Sequence, residues 1–216
     1  MNMVYLFDLD GTLLDTKEGI INGFLYGFEK IGYKDYNIDN IKNFIGPPLE
    51  DTFINKLGFS KNLSDKTIEY FRQYYKAKGK YENTFYDGVC DALEYIRRDN
   101  IVAVATSKPE KQSIEILKNR KMDGYFNFIG GATENAERSK KHDVIEYVLK
   151  KLEISSREKV YMIGDRYSDI NGAKQSDIKS IGVTWGYGSR KELLDCKADY
   201  IVDNAKELNE LIQKIK

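Results

Sequence analysis

Val4-Tyr5-Leu6-Phe7-Asp8-Leu9-Asp10-Gly11-Thr12 is an apolar run that stops on two aspartates. Paired carboxylates repel each other and lose solvation when partly buried, so a buried strand does not ordinarily end this way. A divalent cation between them, with one carboxylate doing chemistry, relieves the conflict. Gly11 lets the backbone turn tightly, and Thr12 offers a hydroxyl and an amide where an anion could sit. Read alone, the same residues also describe a strand and an Asp-Gly turn, a common signal. The rest of the chain decides between the two.

Apolar runs of strand length recur at 3–8, 101–106, 126–129, 159–163, 178–183 and 200–202. Between them lie helical patterns at 89–98, 110–119, 140–152, 169–175, 191–194 and 205–215. Ser139, Ser189 and Asn204 stand where N-caps belong, and the last two have Glu192 and Glu207 three residues on. Apolar strands alternating with amphipathic helices predict an α/β fold, a Rossmann-like doubly wound parallel sheet covered on both faces. One stretch breaks the alternation: from Thr16 to Tyr81 there are only helical patterns, chiefly 19–31, 49–57 and 64–78. The expected organisation is a core of 1–15 and 82–216 with an inserted α-helical cap domain at 16–81. Ligands of open parallel sheets bind at the carboxyl ends of the strands, where this insertion leaves the chain.

Three further segments carry chemistry. The strand at 101–105 runs into Thr106-Ser107-Lys108-Pro109, where Pro109 suits the first turn of a helix. Thr106 and Ser107 either cap that helix or bind an anion at its N-terminus. Ser139-Lys140-Lys141-His142 opens another helix, and a lysine there works against the helix dipole unless an anion faces it. A solvated lysine is the alternative, and lone His142 reads as an exposed helix position. The run Val160–Gly164 leads into Asp165-Arg166-Tyr167-Ser168-Asp169, a second strand ending on carboxylates. With a helix starting at Ser168-Asp169, Asp165 sits on the loop and Asp169 faces back towards it.

Taken in order, Asp8-Leu9-Asp10-Gly11-Thr12, Thr106, Lys141 and Gly164-Asp165-Arg166-Tyr167-Ser168-Asp169 resemble the four motifs of the haloacid-dehalogenase-like phosphatases. The resemblance spans essentially the whole chain, and the helical insertion matches the branch with a helical cap. Phe44-Ile45-Gly46-Pro47-Pro48-Leu49-Glu50 and Gly182-Val183-Thr184-Trp185-Gly186-Tyr187-Gly188 resemble loops of phosphoglycolate-phosphatase-like and 5′-nucleotidase-like members.

The resemblance implies a Mg²⁺-dependent phosphatase acting through an aspartyl-phosphate, with Asp8 as nucleophile. Asp8, the Asp10 carbonyl and Asp165 would hold Mg²⁺, with Asp169 orienting that set. Asp10 would act as general acid and then general base. Thr106, Lys141 and the loop amides near Gly11 and Ser107 would stabilise phosphoryl charge. Lys141 rather than Lys140 aligns with the family's lysine. Gly46, Pro47 and Pro48 would meet the substrate's leaving group, and Trp185 would either shape the rim or pack in the core. Dehalogenases of the family lack the second aspartate, present here as Asp10. Mutases similar to it carry a histidine in the first cap helix, where this chain has Ile20. A phosphosugar mutase, a pyrophosphatase and a catalytically idle binding module are the alternatives to hydrolysis of phosphoglycolate or a nucleoside 5′-monophosphate.

Composition narrows the partners. With 34 basic and 34 acidic residues among 216, no net field favours nucleic acid or an anionic membrane. An apolar fraction of 41% argues against disorder. Cys90 and Cys196 have neither metal spacing nor a paired framework, and are expected as buried reduced thiols of a cytoplasmic protein. No stretch reads as a transmembrane span or a signal peptide. The expected partner is a small-molecule phosphate ester, with no nucleic acid and no membrane, bound by a monomer or weak homodimer. The cap aromatics Phe24, Tyr26, Phe28, Phe44, Phe53 and Tyr74 read as helix core, though one could stack on a base.

Overall fold

A computed structural model describes residues 2–41, 44–45, 49–135 and 137–215 of the chain. Gly46, Pro47 and Pro48 lie outside the described residues. The chain divides into two compact units, Met1–Asp15 with Phe85–Lys216, and Thr16–Thr84.

In chain order the elements are β1 (Val4–Phe7), β2 (Leu14–Asp15), α1 (Lys17–Ile31), α2 (Ile38–Ile41), α3 (Leu49–Asp51) and α4 (Lys61–Ala77). Then come β3 (Thr84–Phe85), α5 (Val89–Ile96), β4 (Ile101–Pro109), α6 (Glu110–Asn119), β5 (Phe128–Ala132) and α7 (Lys141–Lys151). The chain ends with β6 (Val160–Gly164), α8 (Tyr167–Gln175), β7 (Lys179–Val183), α9 (Arg190–Asp195), β8 (Tyr200–Val202) and α10 (Ala205–Lys214). Among the described residues no helix is long and apolar enough to cross a membrane.

Six strands form one parallel sheet in the order β5-β4-β1-β6-β7-β8. β1 lies in the middle, with Val4 registered against Ile101 of β4 and against Val160 of β6. The order reverses there, and such a switch point opens a crevice beyond the carboxyl ends of the strands. Period-two alternation divides the strand between two cores. Tyr5 and Phe7 pack with Leu93, Ile96, Leu208 and Ile212 of α5 and α10. Val4 and Leu6 pack on the opposite face with Val144, Val148 and Ala173 of α7 and α8.

The unit Thr16–Thr84 has its own core, in which Phe24, Phe28, Phe53 and Phe71 stack edge to face or tilted. Phe24, Phe28 and Phe53 are therefore helix core, as the sequence suggests; Tyr26 and Tyr74 pack on each other. Gly19, Gly23 and Gly27 recur every four residues on one face of α1. A Cβ on Gly23 would lie 2.7 Å from the Phe71 ring, so the small residues let α4 approach closely. This stripe went unread in the sequence.

Several boundaries differ from expectation for physical reasons. β5 begins at Phe128 rather than 126 and runs through Gly130-Gly131, residues that weaken a strand signal. They are needed there because a Cβ on Gly130 would strike Val148 of α7. β4 continues past Thr106 to Pro109, its register against β5 shifting between Ala105 and Pro109. Pro109 is thus the N-cap of α6 rather than a residue of its first turn. The expected helix at 49–57 is α3 followed by a π-helical turn, Thr52–Lys56. Ser189 and Asn204 do cap α9 and α10, accepting from the amides of Glu192 and Glu207. Ser139 does not cap α7, whose N-cap position is Lys140. Cys90 and Cys196 are free but only half-buried, not fully buried.

Candidate active site

Four loops, at the carboxyl ends of β1, β4, β6 and β7, and the first turn of α7 supply the site. Asp8 follows β1 directly, with its amide bonded to the Ile163 carbonyl of β6. Its Oδ1 accepts from the Leu9 amide at 2.8 Å and faces the Lys141 ammonium at 2.9 Å. Lys141 also reaches Asp169 Oδ1 at 2.8 Å and donates to the Ala105 carbonyl at 3.0 Å. Gly172 makes room for this buried stem, since a Cβ there would lie 2.6 Å from Lys141 Cγ. Lys140, next in sequence, is exposed.

Asp165 is fully buried. Its Oδ1 accepts from the Thr12 hydroxyl at 3.1 Å, and its Oδ2 from the amides of Tyr187 at 2.7 Å and Gly188 at 3.3 Å. The Thr12 hydroxyl therefore serves the protein's own Asp165 carboxyl rather than a bound ligand, and the Gly11 amide is engaged with the Leu14 carbonyl at 2.9 Å. Gly11 has φ +84°, a conformation that favours glycine, and a Cβ on it or on Gly186 would collide with the Asp165 carboxylate. Asp169 is the N3 residue of α8, its Oδ2 accepting from the amide of the N-cap residue Arg166 at 3.0 Å. The helix thus starts at Tyr167, earlier than expected, and Asp169 does face back over the loop.

Asp8, Asp165 and Asp169 bring one carboxylate oxygen each within 4.8 Å of one another. Burial, then Asp169 and Asp8, push the Asp165 carboxyl up to about 7. Burial also raises Asp169, to about 6, with Lys141 opposing the rise and Asp8 adding to it. Burial alone would lower the Lys141 ammonium, but Asp169 and Asp8 outweigh it and hold the group charged. Ionisation of all three carboxyls against the one ammonium would leave two negative charges among these residues. Hard oxygen donors with that residual charge fit a divalent cation such as Mg²⁺.

The Asp10 side chain is not part of this cluster. Its Oδ2 pairs instead with Lys108 Nζ at 2.6 Å. Thr106 is buried and its Oγ1 accepts from the Lys108 amide at 3.2 Å, whereas Ser107 is exposed. His142 is half-buried rather than exposed, with Nδ1 2.9 Å from Ser176 Oγ. Trp185 packs against the sheet core and donates from Nε1 to the Thr12 carbonyl at 3.1 Å, fixing the turn after Asp10.

The sequence model of the haloacid dehalogenase-like hydrolase family matches residues 5–183. The chain belongs to this family. A 5′-nucleotidase of Pseudomonas aeruginosa is 34% identical over 189 residues, covering 87% of this chain and 85% of its own. The tyrosine-protein kinase PtkA of Mycobacterium tuberculosis is 33% identical over 207 residues, covering 95% and 70%. The solved structure of a predicted phosphatase from Clostridium acetobutylicum superimposes with a TM-score of 0.87 at 39% identity, covering 99% of each chain. Within the haloacid dehalogenase-like hydrolases, the nucleotidase and the clostridial phosphatase place the chain among the phosphatases. Two contributors went unread in the sequence. Lys108 stands in the quoted Thr-Ser-Lys-Pro run, and its basic charge after a strand ending was the available signal. The amides of Tyr187 and Gly188 carried no signal, because a backbone donor has no residue type.

Proposed function

We propose that this haloacid dehalogenase-like protein is a Mg²⁺-dependent phosphomonoesterase that hydrolyses a small phosphate ester through an aspartyl-phosphate on Asp8. The observation that carries the reading is Lys141, buried and ion-paired to both Asp8 and Asp169 beside Asp165. Asp8, Asp165 and the Asp10 carbonyl would hold Mg²⁺, which when bound screens the approach of carboxylate to phosphate dianion. Asp169, tied to Lys141 and the Arg166 amide, orients the set and is not itself needed as a ligand.

One Asp8 oxygen attacks phosphorus while the bond from phosphorus to the ester oxygen breaks. Asp10 gives its proton to the departing alkoxide. Lys141 holds Asp8 in place and meets the spreading phosphoryl charge. The Thr106 oxygen accepts from Lys108 N, so its hydroxyl proton is kept to donate to a phosphoryl oxygen. Ser107, an exposed residue near the end of β4, offers its hydroxyl to the same group. Water then attacks the aspartyl-phosphate and gives its proton to Asp10. The bond to Asp8 breaks, inorganic phosphate leaves, and both aspartates return to their starting states.

For the substrate, the 34% identity to a 5′-nucleotidase supports a nucleoside 5′-monophosphate over phosphoglycolate. The helical unit, as an inserted cap, would supply that selectivity. Ranking a panel of phosphate esters and pyrophosphate by kcat/KM, with Mg²⁺ and with a chelator, tests the reading. A nucleoside 5′-monophosphate at the head of a Mg²⁺-dependent ranking is expected. No monoester turnover with Mg²⁺ overturns it. Transfer to a protein hydroxyl is the second reading, favoured by the identity to PtkA. Phosphate appearing on tyrosine rather than in solution would support that alternative.

A further inference from the structure

We infer that Lys108 is a positioning residue for Asp10, fixing the carboxyl in the orientation from which it exchanges protons with the ester oxygen and with water. The inference rests on Asp10 being the general acid and base, as proposed above. It starts from the backbone. Lys108 lies where β4 shifts register against β5, and such irregularities re-aim side chains. Its amide donates to Thr106 Oγ1 at 3.2 Å, and its carbonyl lies against Gly131, where a Cβ would come within 2.5 Å of it. The strand end is thereby clamped from both sides. The Lys108 side chain is only 7% exposed, and its Nζ meets Asp10 Oδ2 at 2.6 Å.

The other half of the argument is Asp10 itself. Its backbone is set by a bridge to Leu14 and by the Gly11 turn. Its Oδ1 is buried and makes no hydrogen bond among the described residues. A carboxylate oxygen in that state is a cost, relieved by any rotation that finds water or a donor. What opposes the rotation is the contact of Oδ2 with Lys108. Truncating Lys108 therefore removes the ion pair that holds the Asp10 side chain.

The test is single-turnover formation of the phosphoenzyme by the full chain with Mg²⁺, from a nucleoside 5′-monophosphate and from p-nitrophenyl phosphate. An alkoxide needs a well-placed acid and a nitrophenolate hardly does. Lys108→Met should slow the alkyl ester about tenfold or more and the aryl ester less than about threefold, with KM for both almost unchanged. Lys108→Arg, which keeps a cationic donor, should fall between wild type and Lys108→Met. In an Asp10→Asn background, Lys108→Met should add less than about twofold, because its effect passes through Asp10. Equal slowing of both esters, a rise in KM alone, an undiminished effect in the Asp10→Asn background, or Lys108→Arg no better than Lys108→Met each overturns the inference. Should Asp10→Asn slow both esters alike, the acid assignment falls and takes this inference with it. Should Asp10→Asn discriminate and Lys108→Met not, only the inference falls.

Discussion

Lys141→Met removes an ammonium that sits 2.9 Å from Asp8 and 2.8 Å from Asp169, while keeping most of the apolar stem. Breaking a buried pair by deleting one partner costs about 3–5 kcal/mol, because the surviving charge is left uncompensated. The protein has a second route, which is to protonate an orphaned carboxyl. Protonation costs about 1.4 kcal/mol for each pH unit above the group's unfolded value. Starting from 3.8 for Asp169, that is about 4 kcal/mol near pH 7 and about 2 kcal/mol near pH 5.5. The cheaper route sets the loss, so Lys141→Met should destabilise by about 4 kcal/mol at the higher pH and about 2 at the lower. The sign follows from a raised carboxyl: its contribution is most favourable below the unfolded value and is lost as pH rises towards the folded one. Urea unfolding in chelator, followed through the chain's single tryptophan, measures this in the unit that holds the site. A loss that did not change between the two pH values, or stayed below about 1 kcal/mol near pH 7, would refute the assignment of Lys141 as the compensating charge.

In the proposed mechanism the same carboxyls would govern metal affinity. Asp165 is pushed up to about 7 by burial, so protons compete with Mg²⁺ below that value. The Mg²⁺-induced rise in Tm should be larger near pH 8 than near pH 5.5, and an equal or larger rise at the lower pH would count against the carboxylate cluster as the metal site. Gly186→Ala places a methyl group against the Gly11 carbonyl and the Asp165 carboxylate. It should cost roughly 1–3 kcal/mol as overpacking and weaken Mg²⁺ binding, both read from thermal unfolding with and without the ion.

How much of this was legible depended on whether the signal was local. Strands β1 and β6 each end on aspartates within one short segment, so Asp8, Asp165 and Asp169 stand out without any fold. The parallel sheet follows from apolar runs alternating with capped helices, and Ser189 and Asn204 mark their helices correctly. Lys140 and Lys141 differ only by register, which the sequence leaves to resemblance; in the structure Lys141 is the one buried in ion pairs with Asp8 and Asp169. The pairing of Lys108 with Asp10 spans 98 positions, and no periodicity encodes it. Likewise the Asp165 cradle depends on amides 22 and 23 residues away. Gly130 and Gly131 misled the strand boundary because their purpose is a helix packed from elsewhere in the chain. The α1 glycines hid for the same reason, since their meaning lies in α4.

The central claim is that Asp8 carries the phosphoryl group, and rapid-quench intact-mass measurement tests it most directly. Wild-type protein mixed with Mg²⁺ and a nucleoside 5′-monophosphate should gain the mass of one phosphoryl group, mapping to Asp8 after digestion and decaying as inorganic phosphate appears. Asp8→Asn should show no such adduct and lose about a thousandfold or more in turnover while keeping its fold. An adduct on another residue, or near-normal turnover by correctly folded Asp8→Asn, would contradict the account.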